Sequence, residues 1–220
     1  MFTDFAMGIF SVVLAFSLLR YGREEATHRI FFQSWFWGIF SIALAVFVGG
    51  LLEGFKANWE ASTILNLRIV LALLSGIATS FQVFGTLHLS LKDTPLRSLL
   101  FGVWGASIAI FVVFLFLFSS PGLKTPFTIL NTVAIIALFL WYFFKGQKQM
   151  SRSILIGMGC QSMAMVIFLT NLSFGSVLSF GVMFNIFMMV GLYFYYRGIT
   201  HGELWPQESH KATRVPVSRI

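Results

Sequence analysis

Seven stretches of the chain are apolar enough and long enough to cross a bilayer, and polar residues punctuate them at regular places. A transmembrane helix needs about 20 mostly apolar residues. The segments 3–20, 31–52, 63–88, 98–119, 127–144, 153–171 and 175–197 approach or meet that length. Ser119-Ser120-Pro121-Gly122 breaks the chain between the fourth and fifth spans, and Pro126 opens the fifth. Only a few residues around Asn171 and Ser173 separate the sixth from the seventh, which predicts a tight hairpin. The expected fold is an all-α, polytopic seven-transmembrane helix bundle over residues 1–198. A polar, basic tail at 199–220 lacks an apolar face and is expected to be disordered.

Inside the spans, small and polar positions recur at helical spacing. In lipid, helices gain little by burying apolar surface against one another, so such residues mark the faces that meet other helices. The third span carries Arg68, Ala72, Ser75, Thr79, Gln82 and Thr86 along one face, with Leu, Ile, Val and Phe over most of the rest. The first span repeats the pattern with Asp4, Gly8, Ser11 and Ala15, and the second with Ser41, Ala45, Gly49 and Glu53. The sixth does so with Gly157, Gln161, Ala164 and Asn171. Each face is expected to point into the bundle.

Charge sets an orientation. Of the basic residues, Arg20, Arg23, Arg29, Lys92, Arg97, Lys145, Lys148, Arg152, Arg197, Lys211, Arg214 and Arg219 fall on one side. Only Lys56 and Lys124 fall on the other, and Arg68 lies within a span. The positive-inside rule therefore predicts an outside N-terminus and a cytoplasmic C-terminus. Met1 to Leu19 does not read as a cleavable leader, because Asp4 stands where a basic n-region belongs and Arg20 follows the apolar run. Composition agrees with membrane residence: 10% of residues are charged and 57% hydrophobic, against about 25% charged in soluble domains. The net charge of +7 is spread between apolar runs, which argues against a nucleic-acid partner. A multi-pass protein of a plasma membrane, the bacterial inner membrane by this reading, is expected.

With that orientation, Asp4, Glu53, Asn66, Arg68, Asn131 and Asn171 lie at or near the outer ends of their spans, and Gln161 and Asn185 lie deeper. Arg68 sits roughly 8 Å inside its span at 1.5 Å per residue. An arginine there costs about 2.5–3.5 kcal/mol on insertion scales, so it needs an acidic partner. Glu53 is the first choice and Asp4 the second, since a short outer loop makes the second and third spans neighbours. Asp4, Glu53, Asn66, Arg68, Asn131, Gln161 and Asn185 thus form either a structural clamp or an outward-facing polar pocket for a small or lipid ligand.

Several chemistries lack their residues. His28, His88, His201 and His210 lie at or beyond the cytoplasmic span ends, and none has a second ligand at metal spacing. No lysine stands in the last span for a retinal, and no G-x-S-x-G, H-E-x-x-H or P-loop motif occurs. No metal and no cofactor are expected. Cys160 and the methionines Met183, Met188 and Met189 read as packing residues. Phe31 to Trp37 reads as an interfacial aromatic belt, a role that also fits Trp59 and Trp205.

Four further features carry a family likeness. They are Thr3-Asp4 opening the first span, Gly49-Gly50-Leu51-Leu52-Glu53-Gly54-Phe55 closing the second, Leu67-Arg68 entering the third, and Leu192-Tyr193-Phe194-Tyr195-Tyr196-Arg197-Gly198 ending the seventh. In layout the chain resembles uncharacterised bacterial seven-transmembrane proteins similar to the CREST superfamily, the alkaline ceramidases and adiponectin-type receptors. The resemblance implies that hydrolases of the group hold zinc with a histidine near the end of span two and a histidine–aspartate set in span seven. Glu53 and Asn185 occupy those places here, with Val182 where the acid would stand, which implies lost metal chemistry. Three functions remain open: a ligand- or lipid-binding sensor or an accessory subunit of a membrane protein partner, a CREST-like lipid hydrolase with a degenerate metal site, and a small-solute transporter. A transporter would usually show broken helices or an internal repeat, and neither is strong.

Overall fold

In a computed structural model, which describes residues 2–24, 28–90, 97–145, 148–170 and 179–201, the chain forms seven long helices. They are α1 (Phe2–Glu24), α2 (Arg29–Phe55), α3 (Ala61–Ser90), α4 (Arg97–Phe118), α5 (Lys124–Phe144), α6 (Lys148–Thr170) and α7 (Phe180–His201). All seven are long and apolar enough to cross a membrane. The expected spans coincide with these helices to within a few residues, Ser119 falling just past the end of α4. The seventh helix is described from Phe180 to His201, with Ile199 and Thr200 buried. The hairpin around Asn171 and Ser173 and the rest of the tail lie outside the described residues.

Helix ends follow local chemistry. Ser119 ends α4 in the left-handed region at φ 44°, and a 3-10 turn over Pro121–Leu123 redirects the chain into α5. Pro126 sits in the first turn of α5, where its missing N–H removes no helical hydrogen bond.

Six helices make a ring in which α1 packs on α2, α2 on α3, α3 on α5, α5 on α6, α6 on α7, and α7 back on α1. The fourth helix stands outside it, against α3 and the turn that leads into α5. Call the end where α1 begins the near end and the opposite one the far end. The interior of the far half is filled by large side chains: Phe31, Phe32, Trp35, Ile39, Phe139, Ile154, Leu192 and Tyr195 belong to one buried cluster. Trp35 of α2 reaches across the ring to Phe139 of α5 (centroids 6.3 Å apart) and Tyr195 of α7 (5.4 Å), both edge to face. This corrects the reading of Phe31 to Trp37 as an interfacial belt. Four of its five aromatics are core residues and only Trp37 is exposed, because α2 turns them inward at helical spacing.

Glycines set how close the helices come. An added Cβ at Gly157 would stand 2.7 Å from the Gly191 carbonyl oxygen, and one at Gly191 would stand 2.9 Å from the Gly157 carbonyl oxygen. The backbones of α6 and α7 therefore touch directly at this crossing. Gly85 of α3 does the same for α2, whose Ser34 Cβ and Trp35 Cδ1 come within 2.9 and 3.1 Å of the added carbon. Close approach of this kind maximises dispersion contact, the main attraction between helices when the solvent is itself apolar.

Candidate functional site

The polar faces expected from the sequence turn inward along most of their length. Ser11 and Ala15 on α1, Ser41 and Ala45 on α2, Ala72, Gln82 and Thr86 on α3, and Ala164 on α6 are all buried. Few of their hydroxyls bridge helices. Ser11 donates to the Met7 carbonyl at 2.8 Å, Ser75 to Leu71 at 2.8 Å, Thr86 to Gln82 at 2.7 Å and Ser90 to Thr86 at 2.6 Å. A serine or threonine bonded to its own preceding turn is satisfied without a neighbour. These residues act as small packing groups.

Among the described residues, three contacts that bridge helices use an amide. Asn131 of α5 donates through Nδ2 to Thr79 Oγ1 of α3 at 3.1 Å. Tyr195 of α7 donates its hydroxyl to Gln161 Oε1 of α6 at 2.8 Å. At the near end, the two amide hydrogens of Asn185 on α7 are shared between Asp4 Oδ1 at 2.7 Å and Thr3 Oγ1 at 3.1 Å on α1. Asn185 is 1% exposed. Gly50 of α2 closes the third side, since a Cβ there would lie 3.1 Å from Asp4 Cβ and 3.8 Å from Asp4 Oδ2. The carboxylate is thus seated between α1, α2 and α7 and fixed by a neutral amide. Hydrogen bonds to an ionised acceptor are the stronger kind.

Glu53, Asn66 and Arg68 are not part of this interior. All three side chains are exposed. Glu53 and Arg68 therefore lie on the outside of the helix bundle and not in its packed interior. The cause is the first turns of α3, where Leu65 and Val70 are also exposed, at 41% each. The inward stripe begins only at Ala72. Of the seven expected site residues, Asp4 and Asn185 come together, while Asn131 and Gln161 make separate bridges.

The sequence reading missed the tyrosine and the tryptophan. Tyr195 completes the Gln161 bridge, and the Trp35 ring packs on Tyr195. Trp35 Nε1, Gln82 Nε2 and Gln161 Nε2 are buried donors without a hydrogen-bond partner. Buried unsatisfied donors are rare enough that each calls for an acceptor, a water or a ligand atom. The signal available in the sequence was the composition of the stripe itself: Gln82 and Gln161 are too large and polar to be mere packing residues.

Among the described residues, no three of His, Cys, Asp and Glu gather as a metal-binding group. The zinc that the CREST resemblance implies does not fit the donors present, because Asp4 meets an amide where an imidazole would be needed.

The chain belongs to the DUF6962 family, a family of unknown function whose model matches residues 1–204. No curated protein and no solved structure matches it.

Proposed function

We propose that this membrane protein is a non-enzymatic binding protein, a sensor or an accessory subunit, that takes a small or lipid ligand at its near end. The carrying observation is the Asp4–Asn185–Thr3 cluster, a carboxylate seated between three helices and fixed by one buried amide. A carboxylate set between helices accepts hydrogen bonds, so a ligand presenting a hydroxyl or an amine complements it, and its apolar portion would lie along the lipid-facing helices. The distribution of basic residues supports an outer-side position for the near end, in a plasma membrane that we read as the bacterial inner membrane. Output would then pass through a membrane partner.

The CREST-like layout supports a second reading at the same place. Of the places that the resemblance links to the hydrolases' zinc, Asn185 lies in this cluster, whereas Glu53 is exposed. Native mass spectrometry with metal analysis on full-length protein separates the readings. Retention of one hydroxyl- or amine-bearing molecule per chain, lost in Asp4→Asn with the melting temperature kept, is expected. A chain that retains nothing, or retains the same molecule in Asp4→Asn, overturns binding at this cluster. One zinc per chain would favour the altered hydrolase instead.

A further inference from the structure

The ring of six helices closes between α1 and α7, and this seam is joined differently from the rest. The pairs α1–α2, α2–α3, α5–α6 and α6–α7 are consecutive in the chain. The helices α3 and α5 are not consecutive, but α4 braces them: its Phe111 ring covers Gly76 of α3 and stacks on Phe127 of α5 at 4.2 Å and 9°. The helices α1 and α7 are not consecutive either, and side chains hold them together. Each is interlocked with its other neighbour. A Cβ on Gly8 of α1 would lie 2.8 Å from Phe47 Cε1 of α2, and α7 meets α6 backbone to backbone at Gly157 and Gly191.

Packing along this seam changes with depth. At the near end the Asn185 amide of α7 holds Thr3 and Asp4 of α1. Both helices run inward from there, so one turn on, roughly 5 Å deeper, the same faces carry Met7 on α1 and Met188 and Met189 on α7. Met7 is fully buried, and Met188 and Met189 pack half-buried against the same cluster. Further down, the seam helices contribute Leu14, Leu18, Leu192 and Ile199 to that cluster, beside the interlocked rings of Trp35 and Tyr195. Methionine is unbranched and repacks readily, whereas isoleucine and packed rings are stiff. The near half is therefore deformable packing closed by one amide, and the far half is a hinge.

The same amide stands where a ligand would act. A hydroxyl or amine that donates to the Asp4 carboxylate competes with Asn185 for its oxygens, and a charge-assisted bond exchanged for another costs little.

We propose that the near half of the α1–α7 seam is a lateral gate through which the ligand reaches Asp4 from the bilayer, with the Asn185 amide as its latch and Met7, Met188 and Met189 as the packing that yields. The gate rests on the reading of the Asp4 cluster as a ligand site, and it favours a single-chain amphiphile, whose chain is narrow enough to pass between two helices. Full-length protein in bilayers of phosphatidylethanolamine and phosphatidylglycerol, photolabelled with a hexadecanol that carries a diazirine in mid-chain, tests this by residue-resolved mass spectrometry. Buried Met7 should be labelled well above Leu18, which is equally buried on the same helix, and lipid-facing Ile9 serves as the reference. Asn185→Leu should raise Met7 labelling about tenfold, the scale of one lost hydrogen bond to a charged group, with Leu18 unchanged. Asp4→Asn should raise it less, since a neutral bond can replace the charged one. Met7 labelled no more than Leu18 in the wild-type chain overturns the gate. So does Met7 labelling that neither variant changes, or a rise shared equally by Leu18, which would mean general loosening. A chain that retains its ligand through Asp4 but keeps Met7 unlabelled loses the gate alone; one that retains no ligand while Met7 is labelled loses the binding reading alone.

Discussion

The α6–α7 seam and the α3–α4 seam join neighbouring helices in opposite ways. At the first, Gly157 and Gly191 bring two backbones into contact, and Tyr195 and Gln161 add a hydrogen bond beside it. At the second, Gly76 also gives room, but it is filled by the Phe111 ring, and the helices part below it to leave a crevice. Both seams use glycine. The difference lies in what occupies the space that glycine leaves: backbone in one case, a side chain in the other. Backbone contact leaves no space at the crossing, whereas a ring leaves gaps around itself.

The comparison can be broken most decisively at Gly157. Gly157→Leu forces a side chain into the Gly191 carbonyl and the Tyr195 ring, and overpacking of this kind costs about 3 kcal/mol or more where backbone cannot retreat. Loss of the monodisperse folded species in detergent is expected, and a normal melting curve would show that the seam is more yielding than drawn here. Asn185→Leu comes next. It strips both donors from Asp4 Oδ1 and Thr3 Oγ1, for an expected loss of about 1–3 kcal/mol in reversible unfolding in mixed micelles. Tyr195→Phe should lower stability by about 1 kcal/mol in the same assay, since it removes one neutral hydrogen bond and keeps the ring packed on Trp35. The smallest effect belongs to α4. Gly105 faces open space, so Gly105→Ala should leave stability unchanged or raise it by up to about 1 kcal/mol through helix propensity. A clear destabilisation there would mean that α4 is covered by a partner in the membrane.

What was legible in the sequence was whatever a single helix determines. Long apolar runs fixed the spans to within a few residues, because nothing but a helix satisfies the backbone in lipid. The stripes on α1, α3 and α6 were legible for the same reason, as a helical period of small residues. Pairing was not legible. That Asn185 meets Asp4, and Asn131 meets Thr79, depends on the ring order of the helices, which no local pattern encodes. That Glu53 and Arg68 are exposed was not legible either, because the helical period continues into the first turns of α3, where Leu65 and Val70 are exposed too. The aromatic run at Phe31 to Trp37 misled because the same rings suit an interface and a core equally well.

The position of α4 outside the ring has a consequence for how the chain is threaded. Counting from the near end, α1–α2–α3 runs down, up, down, and so does α5–α6–α7. Two triplets that begin at the same end cannot be joined directly, because α3 finishes at the opposite end from where α5 must start. A single extra crossing is the shortest helical solution, and α4 supplies it. The odd number of helices is thus a requirement of joining two like-directed halves. It leaves α4 with a conveyor's role in topology, and so with little obligation to fill space tightly against α3.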